Sequence, residues 1–373
     1  MNRIEVDRRQ AILGMGAALM VSGTNRAAAG GNDIDSLLAP LMRDGKVSGL
    51  HTLLAARGGR LLVERYWEGE DWNRGTPLGK VAFGPAVLHD LRSVSKSIVG
   101  MLYGIALADG KVPPPEAKLY AQFPEYADIA QEPGRDRLTV AHMLSMTLGT
   151  AWDELTFPYS DPRNSEIQME AAPDRYRFIL DRPIVGEPGV KWTYCGGATA
   201  LLGRLIAKGT GQSLPDFARK AMFEPLVLGP TEWTKGRDGE PLAASGLRMR
   251  PPDLLRIGQM VLANGTWQGR QIVPGEWLKR STEPVVVIDE FRRYGWHWYI
   301  VEFSDNTPRA EHAVAAIGWG GQRLFVMPSH DLVVAMNAGN YGRTGVEQSH
   351  IAATVMTEAV LPSIRGDHEM VRD

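Results

Sequence analysis

The stretch Asp90-Leu91-Arg92-Ser93-Val94-Ser95-Lys96-Ser97-Ile98-Val99-Gly100 decides how this chain is read. Beyond it, Met101, Leu102, Ile105, Ala106 and Leu107 join Ile98 and Val99 to cover most of a helical circumference. A helix that is apolar nearly all round is a buried one, so the spacing predicts a buried helix over 90–109. Gly110 is its stop signal, and Pro113-Pro114-Pro115 then breaks the chain. Ser93 and Lys96 fall in the first turn, three residues apart, where both side chains share one face. A serine hydroxyl is a poor nucleophile until a neighbouring base takes its proton. A lysine serves as that base only when burial lowers its pKa to roughly 7–8. The helix start also offers free N–H groups to a developing oxyanion. A capping serine beside an exposed lysine would spell the same four letters, but the apolar surroundings argue against exposure.

Upstream, 34–42 reads as a short helix. Next comes a hairpin: an apolar run at Leu53–Ala56, a turn at Arg57-Gly58-Gly59-Arg60, and Leu61–Tyr66. Residues 69–89, rich in Gly, Pro and charge, read as loop. From 116 to 280 helical patterns dominate, at Thr139–Leu148, Gly196–Gly209, Leu214–Phe223 and Pro252–Asn264. After 295 the signal changes to short β-rich runs at Trp296–Val301, Ala313–Ile317, Arg323–Val326 and Leu332–Met336, followed by a helix over 345–360. The simplest arrangement joins the two ends in one antiparallel sheet, with the helical middle as a second lobe. The active site is expected where they meet.

Two more motifs carry chemistry. Trp192-Thr193-Tyr194-Cys195-Gly196-Gly197 precedes a helix, and Gly318-Trp319-Gly320-Gly321-Gln322 runs into a strand. Glycines at a strand edge let a substrate backbone approach. The order Ser-x-x-Lys, then Tyr-x-small, then Gly-x-Gly-Gly-Gln resembles the serine β-lactamase and penicillin-binding-protein superfamily, most of all its class C branch with the related esterases and amide hydrolases. The stretches His142–Thr147, Ala151–Glu154, Glu224–Leu226 and Gly246–Met249 are similar to that family's habits, and the resemblance covers about 45–360. It implies an α/β (α+β) fold of the β-lactamase/transpeptidase type: an antiparallel sheet flanked by helices plus a mostly helical lobe. The catalytic domain would span 30–365, its sheet lobe built from 30–110 and 285–365 and its helical lobe from 111–284, with a polar tail over 366–373.

The resemblance also implies roles. Ser93 would be the acylated nucleophile, Lys96 its proton partner and Tyr194 the second acid/base. The backbone N–H groups of Ser93 and Gln322 would form the oxyanion hole, and Trp319, Gly320, Gly321 and Gly196 would contact substrate. Two departures matter. The β-lactamases of this branch carry Asn where this chain has Gly196, and Lys where it has Trp319. The Asn donates to a substrate amide and the Lys helps bind a carboxylate, so both losses point away from β-lactams. Trp319 resembles the arrangement of family VIII carboxylesterases and 6-aminohexanoate-dimer hydrolases. The expected activity is cleavage of a carboxylic ester or simple amide through a Ser93 acyl-enzyme. The alternatives are a β-lactamase or D-alanyl-D-alanine carboxypeptidase, and a catalytically silent binding protein on the same fold.

Composition narrows the field. The chain has 373 residues and a formal net charge of −2, which gives no electrostatic pull toward nucleic acid. With one cysteine, Cys195, no intrachain disulfide can form; the thiol reads as buried and inert. The histidines show no His-Glu-x-x-His pattern, so neither metal nor other cofactor is expected, and His142 and His297 read as structural. No Gly-x-Ser-x-Gly occurs, which argues against an α/β-hydrolase. Arg8-Arg9, the apolar run Ala11–Val21 and Ala27-Ala28-Ala29 have the layout of a secretory signal of the twin-arginine type over 1–29. The run is too short to span a bilayer, which takes ~20 residues. The mature protein is therefore expected in the periplasm or otherwise exported, with no stable membrane insertion.

Overall fold

The computed structural model describes residues 33–303 and 310–369. The expected signal segment, 1–29, lies outside the described residues. The two ends of the chain meet in an eight-stranded antiparallel sheet. Its spatial order is Val286–Val287, Arg292–Tyr294, Tyr299–Phe303, Glu311–Gly318, Gln322–Met327, Leu332–Ala338, Leu50–Arg57 and Arg60–Tyr66. The fold class expected from the motifs is the one found.

The central strands are apolar on both faces because both faces are covered. Leu54, Ala56, Leu324, Val326, Val333 and Ala335 pack into one core with the Val94–Ala108 helix. Leu53, Ala55, Phe325, Val334 and Met336 pack into another with Ile34, Leu38 and the C-terminal Val355–Leu361 segment. Each Val, Leu, Ile, Phe or Met among them contributes on the order of 1.5–3 kcal/mol of transfer free energy. Burying the helix from Val94 to Ala106 on every side requires close neighbours. A Cβ at Gly104 would lie 2.1 Å from the Trp277 indole, so only glycine lets those two elements touch.

Several expectations shift. Residues 69–89 are not loop: Glu68–Asn73 and Thr76–Ala82 form an antiparallel hairpin turning at Arg74-Gly75. Its second strand is exposed at nearly every position, so no apolar alternation marked it. The helix expected over Thr139–Leu148 is only Val140–Leu144, because Met146 takes a left-handed φ of 56° that ends it. The terminal helix continues past 360 to Glu369.

Candidate functional site

Ser93 stands on a sharp turn between the bridge His89–Asp90 and the buried helix. Arg92 makes the turn with a left-handed φ of 49°, sparsely populated for a residue with a Cβ. Asp90 holds it there: its Oδ1 accepts the Arg92 N–H at 3.1 Å and its Oδ2 accepts the Arg74 N–H at 2.8 Å. The Arg92 guanidinium pairs with Asp90 at 2.9 Å and lies 4.7 Å over the Tyr341 ring.

The turn brings Ser93, Lys96 and Tyr194 together. Lys96 Nζ donates to Ser93 Oγ at 3.0 Å and to the Ala244 carbonyl at 3.1 Å. It also stands 4.6 Å from the Tyr194 ring centre, and the Tyr194 phenol is hydrogen-bonded to Ser93. Ser93 keeps 7 % of its surface exposed and Lys96 only 2 %. Burial, with Glu154 nearby, pushes the Tyr194 phenol well above its ordinary range, so it keeps its proton at neutral pH.

The Gly318–Gln322 segment faces this turn. A Cβ at Gly318 would lie 2.4 Å from the Leu91 carbonyl, so the absent side chain is what lets the strand and the Ser93 turn approach. The hairpin is held from behind. The Gln322 amide donates to Ala338 O at 2.7 Å and accepts from Asn337 Nδ2 at 3.1 Å. Gly320 N–H donates to Gln348 Oε1 at 2.8 Å. Gly320 and Gly321 have φ of 90° and 101°, and a Cβ on either would strike Tyr341 or Ala338. Their glycine character thus has a backbone and packing reason. Gln322 itself is in the ladder opposite Gly318 with its side chain turned into the protein. Among the described residues, the N–H groups of Ser93 and Trp319 donate no backbone hydrogen bond.

Trp319 forms a wall. Its indole N–H donates to Tyr341 O at 3.1 Å, and Tyr159 meets its ring edge-on at 5.9 Å. Of the other aromatics, Trp152 reaches the site only through Glu154, and Trp296 packs against Trp277 in the core. His142 caps its helix at Thr139 N, and His297 is tied to Thr199 and to Leu144 O. Cys195 is buried, and burial raises its thiol far above the thiolate range.

Sequence reasoning missed Glu154 and Glu166, both buried. Glu154 Oε1 lies 3.8 Å from Lys96 Nζ, and its Oε2 accepts the Gly196 N–H at 2.6 Å and the Trp152 indole N–H at 2.9 Å. Gly196 was the available signal: a Cβ there would lie 3.1 Å from Glu154 Oε2, so the carboxyl fills the space that a larger residue would take.

Comparison with known proteins agrees with this geometry. Residues 34–352 match the family model "Beta-lactamase". The 6-aminohexanoate-dimer hydrolase of Paenarthrobacter ureafaciens is 24% identical over 304 residues, 75% of this chain and 70% of that protein. The β-lactamase of Escherichia coli K12 is 24% identical over 201 residues, 54% of this chain and 48% of that protein. The solved structure of EstCE1, a hydrolase with promiscuous acyltransferase activity, superposes with a TM-score of 0.66 at 16% identity, covering 87% of this chain and 97% of that one. The Ser93 turn, a tyrosine and a glycine-rich strand edge thus converge within a fold shared with these proteins, and the chain belongs to the β-lactamase family of serine hydrolases.

Proposed function

We propose that the protein hydrolyses a carboxylic ester or simple amide through an acyl-enzyme on Ser93. The observation that carries this is the 3.0 Å approach of Lys96 Nζ to Ser93 Oγ beside Tyr194. The Lys96 amine takes the Ser93 proton along that line as Oγ attacks the carbonyl carbon. The oxyanion is received by the Ser93 N–H and by an N–H of the facing Trp319–Gln322 turn. Tyr194, still protonated, gives its proton to the leaving oxygen or nitrogen and recovers one from Lys96. Water then repeats the sequence on the acyl-enzyme, releasing the acid.

The preference for esters and simple amides rests on Trp319 and Gly196. An apolar wall at Trp319 gives an aliphatic acyl group contact and leaves a β-lactam carboxylate unpaired, which is costly. The dimer hydrolase among the relatives makes a linear ω-amino-acid amide a natural member of the substrate panel. The proposal includes export through the Arg8-Arg9 leader; N-terminal sequencing of secreted protein should begin near Gly30, and an uncleaved cytoplasmic chain overturns that part.

The test of the reaction has two arms. A fluorophosphonate should label the wild type once, at Ser93, and not label Ser93→Ala; labelling at Ser95 or Cys195 removes the assignment. In the second arm, kcat/KM is compared for p-nitrophenyl butyrate, the linear 6-aminohexanoate dimer and nitrocefin. If nitrocefin is better by about tenfold, some 1.4 kcal/mol of transition-state preference, the substrate reading is wrong.

A further inference from the structure

Lys96 has an unusual neighbour for a base. An ionised carboxylate 3.8 Å from its nitrogen would favour the ammonium form, and an ammonium cannot accept the Ser93 proton. The surroundings of Glu154 bear on this. Its carboxyl and that of Glu166 both crowd the same point beside Gly196, and two ionised carboxylates packed together out of water repel, which favours a proton on one of them. The other contacts divide unequally. Glu154 receives only neutral donors: the Gly196 N–H, the Trp152 indole and the Tyr159 hydroxyl at 3.1 Å. Glu166 receives the Ser245 hydroxyl at 3.0 Å and has the Arg74 guanidinium at 3.8 Å. Burial and Glu166 push Glu154 up; burial would raise Glu166 too, but Lys96 and Arg74 outweigh it and hold it down.

The charges close around this pair. Arg74 from the hairpin turn is the cation that faces Glu166 and Glu170. The tyrosines and the thiol around the pair, Tyr159, Tyr194, Tyr294, Tyr299 and Cys195, are all raised by burial and stay protonated, and Arg175 adds a cation beyond Glu170. Gly196 leaves room for the pair, since a Cβ there would lie 3.1 Å from Glu154 Oε2 and 3.3 Å from Glu166 Cδ.

We propose that Glu154 and Glu166 share one proton, held on Glu154, and that this neutral carboxyl is a positioning group that keeps Lys96 out of an ion pair and available to Ser93. The inference rests on Lys96 being the base, as proposed above. Glu166 is the anchor that keeps the proton in place, with Arg74 and Ser245 stabilising its charge. No proton leaves the pair during turnover; its work is done in the resting state.

The conservative amides separate this from a merely structural role. Gln at 154 imitates a protonated carboxyl aimed at Glu166. Gln at 166 donates to Glu154 and so lets it ionise beside Lys96. In full-length enzyme, Glu166→Gln should move the acidic limb of kcat/KM against pH upward by about one unit or more, a roughly tenfold loss at the pH of the old limb. Glu154→Gln should leave that limb in place, whatever happens to kcat. A limb that moves in Glu154→Gln, or stays in Glu166→Gln, overturns the proposal, as does an equal fall in thermal stability with no shift in either. Should Glu166→Gln not fold, infrared spectra decide the matter without activity. The protonated carboxyl stretch should be present in wild type at pH 7 and lost in Glu154→Gln; its absence from wild type overturns the proposal. Failure of the parent reading looks different: Ser93 escapes the fluorophosphonate while the infrared band persists.

Discussion

Two buried polar clusters lie near the Ser93 turn, and they behave as opposites. On one side His51 Nδ1 and His89 Nε2 are 2.9 Å apart, and His89 Nδ1 is 2.9 Å from Asp90 O. With burial holding both rings neutral, His89 donates to the carbonyl and His51 donates to His89. Beside them Arg248 donates to Asp71, to Trp72 O and to Leu88 O, each at 2.8–2.9 Å. On the other side stands the Lys96–Glu154–Glu166–Arg74 cluster. Both are as buried as the core. The histidine cluster closes on itself and on backbone, whereas the lysine cluster ends at Ser93 Oγ, which has a proton to lose. Burial of charge therefore does not mark a site; a network that ends on a reactive atom does.

The comparison breaks most sharply at Ser93. Ser93→Ala should lower kcat by on the order of 10³-fold or more while leaving the melting temperature nearly unchanged, because it removes one oxygen from a helix start. Steady-state rates and a thermal melt on one preparation check both halves. Asp71→Ala should do the reverse. It removes the buried carboxylate of the Arg248 guanidinium and leaves only the exposed Glu232 at 3.7 Å, which costs up to about 3–5 kcal/mol of stability, with turnover per folded molecule nearly kept. Denaturant unfolding beside active-site titration measures this, and a variant that is inactive but stable would erase the distinction.

The two clusters also titrate with opposite sign. Burial, with His89 beside it, pushes His51 down to about 3, and burial pushes His89 down to about 4. The unfolded chain binds these protons first, so stability is full above pH 6.5 and falls as pH drops toward 4, by roughly 2–3 kcal/mol per ring. Glu154 runs the other way: burial and Glu166 push it up to about 8. Its contribution is full below the ordinary carboxylate range and is lost as pH rises toward 8. Melting temperature against pH should therefore fall on both sides. His51→Asn should flatten the acidic side and Glu154→Gln the alkaline side; a swap of the two effects would reverse the assignment.

The smallest expected effect is at Gly196. Gly196→Ala puts a methyl 3.1 Å from Glu154 Oε2, and such overpacking costs about 1–3 kcal/mol. Because the displaced group is Glu154, the same change should alter the pH–rate profile, which a comparable insertion at Gly203, 3.0 Å from Ala243 Cβ, should not.

Particular residues show what the sequence made legible. The buried helix was readable because thirteen of its residues, Val94 to Ala106, are packed on all sides, and that leaves an apolar signature all round the helix from Ile98 onward. Ser93, Lys96 and Tyr194 were readable because their order along the chain matches a known family. The hairpin over Glu68–Ala82 was not, since a strand exposed on both faces carries no period of two. The end of the short helix at Met146 was not, because a left-handed φ on a methionine has no compositional signal.

The sequence by itself determined the local things. It set which segments are apolar enough to be buried, which glycines can turn, and which serine has a lysine one helical turn away. Those depend on neighbours within a few residues. Only the tertiary structure decided the electrostatic character of the site. Glu154 lies 58 positions beyond Lys96, Glu166 lies a further 12, and Arg74 lies on a hairpin that looked like loop. Nothing local relates these groups. The free energy of an ionised side chain depends on distance, burial and partner charge in three dimensions, and those exist only once the sheet has closed and the helix is in place.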